Sequence, residues 1–215
     1  MTCLTELKKE RNMKTKIMVA LILLTSMNML FSANYVLTVG DESYDVSLDT
    51  DTKIKVGGEY ISINLTQKNI LLYSTDGFSF QHPKQYSPSK TELDGDISQT
   101  VIMTPLGSVV MIQEYSSFDP TSLIDIMVSE VTKEERNYGY EIESNEKTMT
   151  LSDGKVLKGL VVTSKYKGSD IKRGFYTYGL KDSGLFIMTQ IDYEIEPIGD
   201  RLIEDIFKSL IIKIK

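Results

Sequence analysis

The stretch RGFYTYGLKDSGLFIMTQIDY, residues 173 to 193, decides the expected architecture. Two alternating apolar runs flank the polar Lys181, Asp182 and Ser183, so the stretch reads as a β-hairpin. If Gly179 faces Gly184 across that turn, the two-residue period of a strand puts Tyr176, Tyr178, Leu185, Ile187, Ile191 and Tyr193 on one face. Phe175, Phe186 and Met188 then share the other. Both faces are apolar, and an antiparallel sheet buried on both sides needs a cover on each.

Two amphipathic segments offer that cover. Asp119 is a helix cap with Pro120 at the first helical position, and Leu123, Ile124, Met127, Val128 and Val131 follow at helical spacing. A second helix is expected from about Pro197 to Leu210, with Ile198, Leu202, Ile203, Ile206, Phe207 and Leu210 as its stripe. The fold class expected is therefore α+β, a three-layer α/β/α sandwich around a mostly antiparallel sheet. Its other strands are NILLYST, GFSFQ, ISQTVIMTP and SVVMIQEY, together with a meander that begins at TMTL. Residues 81 to 96, with Pro83 and Pro88, read as a long irregular loop.

Ahead of this main domain, residues 70–215, residues 34–69 form a small β appendage of short strands. Its clearest signal is Gly57-Gly58 between two alternating runs, since both central residues of the favoured hairpin turns need positive φ. Residues 1–33 have the layout of a secretory signal peptide: Lys14 and Lys16, an apolar run from Ile17 to Leu24 that resumes through Leu30, then the small residues Ser32 and Ala33. Met13 is a second candidate start. The expectation is export to a periplasmic or extracellular location, with an uncleaved inner-membrane anchor as the alternative.

Net charge is −6, and loss of the five basic and two acidic residues of the leader leaves −9. That sign opposes binding to nucleic acid or to anionic lipid. The single cysteine, Cys3, precedes the leader, so the mature chain has no thiol to cross-link or to bind zinc.

Taken in order, GFSFQHP, a hairpin, the helix DPTSLIDIMVSEVTKE, a meander containing LSDGKVLKGLVV and KRGFYTYGL, and a terminal IEDIFKSLII resemble the PsbP-like superfamily, which includes bacterial exported proteins of the DcrB type. The resemblance spans residues 70 to 213. Tyr86 stands where members carry an aromatic a few residues after the proline. The resemblance implies a noncatalytic binding or assembly role on a larger protein complex.

Candidate chemistry is sparse. His82 is the only histidine, with no partner at metal-ligand spacing, and it reads as a strand-end residue before Pro83. Ser87 and Lys90 have the spacing of serine–lysine acylases but lack a helix to align them. Asp192, Glu194 and Glu196, or Asp94 and Asp96, are the acids available for a carboxylate-dependent hydrolase. No cofactor or metal is expected. Tyr176, Tyr178, Tyr193 and Tyr86 form the candidate surface for a protein partner in the cell envelope or outside the cell, because tyrosine joins an apolar body to a polar tip. A carrier of a small apolar ligand, held between sheet and helix, is a further reading.

Overall fold

The computed structural model describes residues 35–214, so the leader-like segment of residues 1–33 and Cys3 lie outside the described residues. The chain divides into two units, one ending at Gln67 and the other beginning at Lys68.

The first unit is a pair of hairpins: β1 (Tyr35–Val39) with β2 (Glu42–Val46), and β3 (Asp51–Val56) with β4 (Glu59–Asn64). Gly57 and Gly58 close the second at φ +60° and +94°, the left-handed values its two-residue turn demands. Val46 and Ile54 are its buried side chains, and the Tyr44 hydroxyl ties the hairpins together by donating to the Lys55 carbonyl.

The second unit is built on a seven-stranded sheet. Its strands are β7 (Ser89–Asp94), β8 (Ile97–Met103), β9 (Val109–Tyr115), β10 (Glu141–Thr150), β11 (Val156–Tyr166), β12 (Ser169–Leu180) and β13 (Ser183–Asp192). They lie in the order β10-β11-β12-β13-β9-β8-β7, and every ladder is antiparallel. A smaller sheet, ordered β14-β6-β5, is made of β5 (Ile70–Ser74), β6 (Phe78–Pro83) and β14 (Ile211–Ile212). Two helices complete the unit: α1 (Ile124–Tyr138), entered through a 3₁₀ turn at Pro120–Leu123, and α2 (Asp200–Ser209).

Gly179 pairs with Gly184 in the β12–β13 hairpin, which sorts the side chains as its alternation requires. Tyr176, Leu185 and Ile187 join Phe78, Phe80, Ile206 and Phe207 in one buried cluster. Phe175 and Phe186 join Met111, Val128 and Val162 in the other. The glycine pair also makes room. A Cβ at Gly179 would lie 1.9 Å from Asp119 Oδ1, and one at Gly184 would lie 2.3 Å from Pro120 Cδ. The cap of the helical segment is thus seated against the two glycines, where Asp119 Oδ1 accepts from the Thr121 N–H at 2.9 Å.

The three-layer α/β/α sandwich expected from the sequence is not what forms. Strands take up 56% of the structure and helices 16%, which makes this a mostly antiparallel β fold. The expected helical cover fails as a layer for a physical reason. On the face of Tyr176 and Ile187, the small sheet supplies Phe78 and Phe80, both fully buried, so α2 is only part of the cover. On the opposite face α1 buries Val128 and Thr132 and packs Ile124, Met127 and Val131 only partly against the cluster. The second helix is also shorter than expected, since residues 193–199 form turns and α2 begins at Asp200. Residues 81 to 96 are no long loop either, because Ser89–Asp94 form the edge strand β7.

Candidate functional site

Beside α2, the sheet leaves a groove of about 370 Å³ open. Met149, Val161, Tyr176, Ile191, Ile203 and Phe207 form its apolar lining. Tyr176 is pinned there edge-on to Phe207, with ring centroids 5.3 Å apart. Gly174, two residues before Tyr176 on the same strand face, has to be glycine. A Cβ there would meet the Tyr176 ring at 2.5 Å and Thr189 Oγ1 at 2.7 Å. The tyrosine can therefore lie back across the strand.

Charged side chains rim the groove. Lys147 reaches it from β10, while Lys172, Asp200, Glu204 and Lys208 lie around its opening. Lys208 is paired with Glu204 at 3.0 Å. Lys172 donates to the Tyr193 hydroxyl at 3.2 Å, and that hydroxyl donates to Asp200 Oδ2 at 2.9 Å. Burial favours the neutral amine of Lys172, but Tyr193 and Asp200 outweigh it and hold the lysine above its usual range. Lys147 makes no ion pair among the described residues. It is the uncommitted cation of the rim.

The four tyrosines singled out in the sequence are divided rather than gathered. Tyr176 is 6% exposed on the groove floor, Tyr193 is half-buried at its edge, and Tyr178 is half-buried against the core. Tyr86 lines a different cavity. The acids are also dispersed into separate local roles. Asp192 Oδ1 accepts from the Glu194 N–H at 3.0 Å, Glu194 is exposed, and Glu196 turns inward to Thr104. Asp94 Oδ1 caps the N–H of Gly95 at 2.8 Å.

His82 lies in the wall of a larger cleft, about 520 Å³, with Asp205, Lys208 and Ser209. It is 5% exposed and its Nδ1 is 3.0 Å from the Pro83 carbonyl oxygen. Ser209 is no nucleophile poised beside it. Its Oγ accepts from the Gln81 N–H at 2.9 Å and donates to the Asp205 carbonyl at 2.8 Å, fastening the last turn of α2 to β6. A satisfied hydroxyl of this kind is spent on structure.

Lys147, Gly174 and Phe207 were not legible as site residues. The alternation of Lys147 with Met149 on one face of β10 was the available signal, but it lies in a stretch whose exposed residues look like linker.

No protein-family model matches the chain, and no curated protein matches it. Among solved structures it is similar to a crystal structure of a protein from Bacteroides thetaiotaomicron at 9% identity and a TM-score of 0.37, covering 66% of this chain and 47% of that one. The chain spans about half the length of that protein.

Proposed function

We propose that the chain is an exported, noncatalytic carrier of a small amphipathic molecule, with its seat in the groove between the sheet and α2. The ligand has an apolar body and one anionic end. The observation behind this reading is the groove itself, whose 370 Å³ falls within the roughly 300–1,000 Å³ usual for small-molecule clefts. An apolar lining supplies affinity through burial, and a few polar groups at the mouth fix orientation. Lys147 is the cation left to meet the anionic end, because Lys172 and Lys208 are already engaged with Asp200 and Glu204. The leader-like sequence of residues 1–33 supports the exported location.

Anilinonaphthalene sulfonate carries the required chemistry and gains fluorescence on leaving water. It is expected to bind saturably at one equivalent. Ile203→Trp should abolish binding by filling the groove, and Lys147→Glu should weaken it about tenfold, equivalent to roughly 1.4 kcal/mol. A signal untouched by Ile203→Trp would refute the proposed seat. Native mass spectrometry of protein recovered from its host should also show a retained adduct.

A further inference from the structure

A second cavity, distinct from the groove, has an unusual floor. It measures about 290 Å³ and lies among Pro83, Tyr86, Thr104, Glu196, Arg201 and Asp205. Glu196 is only 9% exposed, so its carboxyl group is taken almost wholly out of water. Burial pushes its pKa up, yet the donors of Ser108 and Thr104 outweigh that and hold it below the ordinary glutamate value. The group is a carboxylate at neutral pH.

Only half of this carboxylate is provided for. Oε2 accepts from Thr104 Oγ1 at 2.6 Å and from the Ser108 N–H at 3.2 Å. Oε1 accepts no hydrogen bond among the described residues, and it is not sealed from the cavity. The fully buried Ser108 hydroxyl makes no well-aligned hydrogen bond, but it lies close enough to the carboxylate to help hold it charged. A buried charge with an open lone-pair face is costly unless something pairs with it. Arg201 lines the same cavity, but forms no ion pair with Glu196. Asp205 adds a second negative group to the wall.

We propose that this cavity is a binding site for the ammonium group of a small organic amine, received by Glu196 Oε1 in the cavity that Tyr86 also lines. An ammonium donates hydrogen bonds and carries the compensating charge, both of which Oε1 lacks. Tyr86, a lining residue of the same cavity, is an aromatic group available to the amine's alkyl stem or to the cation itself. A metal ion suits the site less well, since no group of three ligating side chains occurs among the described residues. An anion would meet Glu196 and Asp205 together.

Two ligand sources share this chemistry, a simple alkylamine and an aminocarboxylate whose acid end would pair with Arg201. Titration with butylamine and with γ-aminobutyrate, read from the backbone amide resonances of Thr104 and Ser108, separates them. At least one probe is expected to shift the Ser108 resonance saturably. Glu196→Gln, which keeps the shape of the side chain, should weaken that probe about tenfold or more. Arg201 is exposed on α2, so Arg201→Ala should fold normally. It should tighten butylamine and weaken γ-aminobutyrate, and the stronger wild-type probe identifies the source. Absence of a saturable shift with either probe would overturn the proposal. So would equal affinity in folded Glu196→Gln, with folding checked by the unchanged resonances of the β12–β13 hairpin.

Discussion

Arg173 is 6% exposed in the middle of β12, a position where a lone charge is ruinous. Glu135 of α1 answers it from across the sheet face through two hydrogen bonds at 2.9 and 2.7 Å, and Gln190 takes the remaining Nε–H at 2.7 Å. Burial raises the Glu135 pKa, but the Arg173 and Ser164 donors outweigh it and leave it below the ordinary value. A folded pKa below the unfolded one stabilises the fold above the unfolded value of about 4.3, and this stability is lost as pH falls through the folded value. Glu135→Gln should therefore cost about 3 kcal/mol at neutral pH, because it strands the guanidinium. The gap from wild type in urea melts should be full above about pH 5 and narrow below about pH 4. A constant gap across that range would show that the cost comes from packing. The partners lie 38 residues apart, and nothing local in either segment announces the pairing.

At the scale of elements, the Gly179–Gly184 pair and the cap at Asp119 form a single joint. Asp119→Ala should cost about 1 kcal/mol through the lost Thr121 hydrogen bonds. Gly184→Ala should cost more, since its Cβ displaces Pro120 and with it the start of α1. Hydrogen exchange should then report faster opening confined to residues 120–138. The hairpin register was legible from the sequence because the polar Lys181, Asp182 and Ser183 mark the turn and set Gly179 opposite Gly184. The two strands at the sheet margins were not. All six residues of β7 are exposed, and β10 exposes eight of ten, so neither has an apolar face to betray its period. Polar composition is how a sheet edge avoids pairing with a neighbour, and it also erases the signal that identifies a strand. The same erasure hid Lys147 and obscured one wall of the candidate groove.

At the scale of the whole molecule, the buried clusters of the second unit draw only on residues from Tyr73 onward. A chain of residues 68–215 is accordingly expected to fold alone, with a cooperative urea transition whose midpoint lies within about 0.5 M of the longer chain. A broad, noncooperative transition would show that the hairpin pair is needed. The sandwich of helices was misjudged at this scale because hydrophobic patterning shows that a face is buried without showing what buries it. GFSFQ is legible as a strand, but nothing in its pattern shows that Phe78 and Phe80 belong to a separate small sheet that is itself part of the cover.

The junction of β9 with β13 has a consequence in time rather than in space. Tyr115 pairs with Gly184 and Val109 with Gln190, so the centre of the sheet joins segments made far apart during synthesis. Until β13 leaves the ribosome, the inner edge of β9 has no strand to bond, and Val110 and Ile112 have no finished core to enter. The β7–β9 meander must wait in this half-built condition while α1 and three further strands are translated. Translated in vitro without residues 1–33, a nascent chain arrested with β9 but not β13 outside the ribosome should therefore bind holding chaperones, and the completed, released chain should not.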